Sequence, residues 1–127
     1  MESVIKAYLQ ALHNGHHQEI LALFAPNAEV VSPLYGTRPA KVFYKELLDD
    51  TNTSRIELLD IFINDKKQTA AVNFLYHWTL ADGTPVSFDC VDVIEFDDQN
   101  KITHLKIIYD TVQTRNALEQ QKRSTNS

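Results

Sequence analysis

Residues 86–96 read VSFDCVDVIEF and alternate between two faces without a break. Val86, Phe88, Cys90, Asp92, Ile94 and Phe96 share one face, while Ser87, Asp89, Val91, Val93 and Glu95 share the other. A period of two sustained over this length belongs to a strand with one face on a core. Asp92 therefore points inward among apolar neighbours. An ionised carboxylate taken out of water without partners costs several kcal/mol, so a buried one is paired, hydrogen-bonded or held protonated. Asp92 is the leading candidate for chemistry in this chain.

Three further runs of the same period flank this one, at residues 55–64, 69–80 and 102–112. The breaks between them, Asn64-Asp65-Lys66, Asp82-Gly83 and residues 97–100, are rich in turn formers, which predicts antiparallel hairpins. In the second run Ala70, Val72, Phe74, Tyr76, Trp78 and Leu80 share a face, and in the last Leu105, Ile107 and Tyr109 do. In residues 55–64, Asp60 shares parity with Ile56, Leu58 and Phe62, but Leu59, Ile61 and Ile63 leave the facing of that strand open.

The first half of the chain has a helical period instead. Val4, Ile5, Tyr8, Leu9 and Leu12 form a stripe that stops at Asn14-Gly15, where glycine accepts a left-handed backbone. A second short helix carries Ile20, Leu21, Leu23 and Phe24 and is broken by Pro26-Asn27. Residues 28–32 read as a short strand and 33–36 as a loop. A third helix starts near Pro39 and carries Val42, Phe43, Tyr44, Leu47 and Leu48. Long strands twist and coil, so three helices laid on the apolar side of the sheet would close it into an α+β cone.

Bulk properties agree with one domain over residues 1–118, followed by a polar tail at 119–127 that is expected to fray. The chain has 127 residues, 43% of them hydrophobic and 23% charged. Its net charge of −5 and its scattered twelve Lys and Arg argue against a nucleic-acid partner. One cysteine excludes an intramolecular disulfide framework. No apolar run reaches the length of a membrane span, and no signal-peptide core is apparent near Glu2 and Lys6, so a cytoplasmic protein is expected.

The segments KAYLQALHNGHHQEILALFAPNAEVVSP, KVFYKEL and SFDCVDVIEFDDQNKITHLKIIYD resemble the NTF2-like superfamily, in particular its ketosteroid isomerase-like and SnoaL-like polyketide cyclase branches. The resemblance covers about residues 3–112 and implies a cystatin-like cone whose curved antiparallel sheet is covered on one face by three N-terminal helices. It implies catalytic roles for Tyr8, at the position of an oxyanion-hole tyrosine, and Asp92, at that of a protonated aspartic acid. Tyr44 matches a tyrosine that supports the first by hydrogen bonding. Ser32 stands where the isomerases carry a carboxylate base, and a hydroxyl is a far poorer base at neutral pH.

In that reading Tyr8 and neutral Asp92 donate to one carbonyl oxygen and stabilise an enolate, within a pocket of Phe24, Ser32, Tyr44, Phe74, Trp78, Phe88, Leu105, Ile107 and Tyr109. Alternatively Asp92 is ionised and is itself the acid-base group, as in SnoaL-like cyclases. A hydrophobic small molecule is the expected ligand, and neither metal nor cofactor is needed. A non-catalytic binding pocket and a protein-interaction module are the competing functions. A buried structural acid capped by Tyr8 or Tyr44 is the plainer account of Asp92, and a small buried hydrophobe that of Cys90.

His13, His16 and His17 straddle a helix break and do not predict a metal site. Residues 97–100 lack the glycine and closing glutamate of a calcium loop. On the outer sheet face Leu75, Val91, Val93, Ile108 and Val112 are interleaved with His77, Glu95, Lys106 and Asp110. That mixture, together with the family resemblance, predicts a homodimer through this face.

Overall fold

A computed structural model describes residues 1–126 of the chain. Six strands form one sheet: β1 (Phe24–Ser32), β2 (Gly36–Pro39), β3 (Thr51–Asn64), β4 (Thr69–Leu80), β5 (Pro85–Phe96) and β6 (Ile102–Ile108). Their order is β2-β1-β6-β5-β4-β3. Four helices accompany them: α1 (Glu2–Asn14), α2 (His17–Leu21), α3 (Ala40–Asp49) and α4 (Val112–Asn126). The expected α+β architecture is present, with α1 packed on β3 and α3 on β1 and β2 around a curved sheet. β3 to β6 are successive antiparallel neighbours, whereas β1 runs parallel to β6 and makes the sheet a mixed one.

The alternation in β4 and β5 carries straight through to burial. Ala70, Val72, Phe74, Tyr76, Trp78 and Leu80 are all buried, and so are Val86, Cys90, Asp92, Ile94 and Phe96. β3 behaves differently. Ser54, Ile56 and Leu58 stand opposite the inward Trp78, Tyr76 and Phe74, but beyond a register shift between Leu58 and Asp60 the inward positions are Ile61 and Ile63, opposite Val72 and Ala70. One extra residue in a strand inverts the facing of everything after it, which is why 55–64 shows no single parity. Asp60 is carried to the exposed outer side, where its Oδ1 accepts the Ile61 N–H at 2.8 Å, so it offers no base to the interior.

Helix ends follow local chemistry. Gly15 takes φ +68°, and His16 N–H reaches back to the Ala11 carbonyl at 3.1 Å, closing α1 where the sequence predicts. α2 is shorter than its apolar stripe suggests, because Phe24 already opens β1. Pro26 and Asn27 lie exposed in β1, where its pairing with β6 is irregular. β2 lies beyond the 33–36 loop and is too short to announce itself by alternation. Pro39 caps α3 from the position just before its first turn.

The C-terminal region departs most from expectation. β6 ends at Ile108, and the run expected to continue to 112 turns away at Tyr109. Asp110 Oδ1 then accepts the Val112 N–H at 3.1 Å and starts α4. The stretch expected as a frayed tail from 119 onward is helical to Asn126 with Gln121 buried, continuing a helix whose Ala117 and Leu118 are buried just before it. Its few apolar residues leave no visible period. Ser127 lies outside the described residues. No described helix is long and apolar enough to cross a membrane.

Candidate functional site

β5 sets Cys90 and Asp92 two residues apart on the inward face, opposite Phe74 and Val72 of β4. Above them, α1 brings in Tyr8 and α3 brings in Phe43 and Leu47. Between helices and sheet lies a cavity of about 40 Å³. Tyr8, Ser32, Phe74, Trp78, Phe88, Asp92, Ile107 and Tyr109 are among the residues that line it.

Three residues expected at the pocket stand behind its wall instead. Phe24 packs against the rings of Tyr8 and Tyr44, with centroids 6.0 and 5.4 Å away. Tyr44 sits beyond Tyr8, and Leu105 is fully buried in the core. The wall also includes Leu12, Leu34, Tyr35, Phe43, Leu47, Tyr76 and Cys90. Strand parity placed Tyr76 and Cys90 on the right face, and helical stripes carried Leu12, Phe43 and Leu47. Leu34 and Tyr35 sit in a loop, where no period marks them.

Asp92 is 1% exposed. Its Oδ1 accepts the Cys90 thiol at 3.4 Å, and its Oδ2 is buried with no hydrogen-bond partner among the described residues. Burial pushes the carboxyl up to about 7, against a weaker downward pull from the thiol. Burial and the nearby Asp92 push the Cys90 thiol far up, so Cys90 stays a neutral thiol. It is thus a buried small residue, as expected, with the added role of donor.

The tyrosines do not cap this acid. The Tyr8 and Tyr44 hydroxyls bond each other at 2.7 Å, and burial raises both phenols well above their usual range. Tyr76 pairs with Ser54 Oγ at 2.9 Å, Tyr35 donates to Asp50 at 2.6 Å, and Trp78 Nε1 donates to Thr51 Oγ1 at 2.8 Å. Each of these polar tips is engaged away from Asp92. Ser32 Oγ accepts the N–H groups of Leu34 and Tyr35 at 3.2 and 3.4 Å, which pins the loop and leaves its own O–H to donate. A hydroxyl used in this way is a donor and not a base.

One wall of the cavity is aromatic. Phe88 stacks between Tyr76 and Tyr109, with centroids at 5.1 and 4.1 Å. α4 reaches the loop that carries Tyr35, donating from Arg115 Nη2 to the Pro33 carbonyl at 2.7 Å and holding Lys122 Nζ 5.9 Å from the Tyr35 ring centre. The histidines go elsewhere: His13 Nδ1 accepts the Ile56 N–H and His16 pairs with Glu19. Asp97 Oδ1 accepts the N–H groups of Gln99 and Lys101, which makes 97–100 a hairpin turn.

A curved sheet wrapped over helices, with a polar group on the floor of an apolar cavity, is the architecture of the NTF2-like, or cystatin-like, proteins. PrhC from Penicillium brasilianum NBRC 6234 superposes with a TM-score of 0.80 at 12% identity, over 98% of this chain and 89% of that one. TerC co-crystallized with polyporic acid gives 0.78 at 22% identity, over 93% and 97%. SalBIII, an epoxide hydrolase/cyclase-like enzyme of pyran ring formation in polyether salinomycin, gives 0.75 at 17%, over 86% and 89%. These likenesses are of fold. Among curated proteins none matches the sequence. Residues 5–105 match the SnoaL-like domain, and the chain belongs to that family.

Proposed function

We propose that the cavity receives the polar end of a small apolar carbonyl compound and that Asp92 moves a proton on it, as an isomerase, dehydratase or cyclase would, without a cofactor. The observation that carries this reading is the partnerless Oδ2 of a fully buried Asp92 beside an apolar cavity. A carboxyl near 7 is populated in both forms at neutral pH, so it is able to give a proton to a carbonyl oxygen and take one back. Tyr8 would share the developing charge, and Ser32 O–H would steer the ligand. A cavity of about 40 Å³ holds about three waters, enough for the reacting end only. The apolar body would extend toward Tyr35 and Tyr109 under α4. In keeping with a small-molecule site, similar folds include a cyclase-like enzyme and a protein crystallised with polyporic acid.

Planar phenols and naphthols mimic an enolate oxygen on an apolar body. Thermal stabilisation by 2-naphthol that is lost in Tyr8→Phe supports the reading; no stabilisation of wild type sinks it. Ser32 favours a second reading, a pocket that binds without turnover, because Asp92 is the one carboxyl lining the cavity among the described residues. Binding that persists in Asp92→Asn, with no turnover in either protein across a carbonyl panel, would select it.

The proposal extends to a cytoplasmic homodimer. On the outer sheet face Val93 is 37% exposed, Ile108 47% and Phe62 58%, beside Lys106 and Glu95. Both charge signs around an apolar centre suit a two-fold contact of the face with itself.

A further inference from the structure

Asp92 has two chemically equivalent oxygens placed in different surroundings. Oδ1 accepts from Cys90 Sγ at 3.4 Å, while Oδ2 has no partner among the described residues. Both side chains stand on the inward face of β5 two residues apart, a spacing at which strand side chains lie parallel and in reach. We propose that Cys90 is a positioning residue for Asp92: its thiol donates to Oδ1, holds the carboxyl in one rotamer and leaves Oδ2 as the oxygen that faces the ligand. The part of this that concerns the ligand rests on the function proposed above.

The thiol suits this task through its weakness. Sulfur is a poor donor, so it orients a carboxylate while stabilising the ionised form only slightly. A hydroxyl or ammonium in the same place would hold the acid ionised through the neutral range and remove its ability to donate. Burial keeps the thiol protonated, so Cys90 neither competes as a nucleophile nor adds a charge. The titratable groups facing Asp92 are the phenols of Tyr8 on α1, Tyr44 on α3, Tyr76 on β4 and Tyr109 beyond β6, besides the thiol itself. No Lys, Arg or His lines the cavity among the described residues. Among the described residues Cys90, at 1% exposure, is therefore the one hydrogen-bond donor to Asp92.

The test is a direct titration of the Asp92 side-chain carboxyl by ¹³C NMR, with its signal identified by its loss in Asp92→Asn. Wild type, Cys90→Ala and Cys90→Ser are compared without ligand. The midpoint is expected to rise by about half a pH unit in Cys90→Ala and to fall below the wild-type value in Cys90→Ser. A Cys90→Ala midpoint equal to wild type, or a Cys90→Ser midpoint that follows Cys90→Ala, overturns the proposal. Loss of packing alone would move both variants together, so the serine variant separates donation from volume. The pH dependence of 2-naphthol affinity is then measured on the same three proteins. Affinity breaks that follow the NMR midpoints support the assignment of Oδ2 to the ligand. Midpoints that move while 2-naphthol fails to bind refute the proposed function and leave the positioning role standing.

Discussion

Folding this chain takes up a proton at Asp92. The carboxyl rises from an ordinary 3.8 to about 7 on burial, so between those values the folded protein holds a proton that the unfolded chain has released. The contribution to stability is whole below about 4 and is lost as pH rises through about 7. Wild type should therefore lose up to about 1.4 kcal/mol per pH unit across that window relative to Asp92→Asn, whose amide does not titrate. Urea denaturation of both proteins at pH 4.5, 6 and 8 checks this; parallel pH profiles would mean that Asp92 is solvated. The inward direction of Asp92 was legible because its neighbours on both sides alternate strictly. Its bond to Cys90 was not, since parity puts both on one face without saying which atoms meet. Pairing of Tyr8 with Tyr44 came from the family resemblance, and periodicity alone would have left them as core residues.

Elements differ in how plainly they are written. β4 keeps one apolar face buried without exception over twelve residues, and β5 keeps one inward face that Asp92 alone interrupts with a charge-bearing group and on which Phe88 is half-buried. β3 was ambiguous for a physical reason: its inserted residue hands the inward role from one parity to the other at Leu58–Asp60. α4 was invisible because a helix held by Ala117, Leu118 and a few polar contacts shows too little apolar period to detect. Those contacts anchor the helix. Gln121 Oε1 accepts the Asp82 N–H at 2.7 Å, tying the helix to the β4–β5 turn, and Leu118 is 7% exposed. Leu118→Ala is expected to cost about 2–3 kcal/mol in urea denaturation. It should also speed the reaction of Cys90, the one thiol in the chain, with a small disulfide reagent under native conditions. An unchanged labelling rate in a destabilised variant would show that α4 does not control entry to the cavity.

At the scale of the whole molecule, the exposed apolar residues lie largely on β3, β5 and β6 and not around the cavity. If a second copy covers the outer face, Val93→Lys converts a dimer into a monomer in sedimentation velocity with little loss of fold, because Val93 is 37% exposed and its replacement empties no core position. A wild-type monomer at micromolar concentration refutes the dimer outright. The parallel pairing of β1 with β6 has a different consequence, in the order of assembly. Val30 pairs with Leu105 on one side and Arg38 on the other, so β1 has only the short β2 beside it until β6 exists. The hairpins from β3 to β6 join neighbours and close over short loops, whereas β1 must wait for a contact that spans most of the sequence. On the ribosome, α1, α2, α3 and Ser32 emerge before the long strands that seat them. The cavity then comes into being only after β6 has been made, and until then the aromatic inner face of the meander is uncovered and open to chaperones.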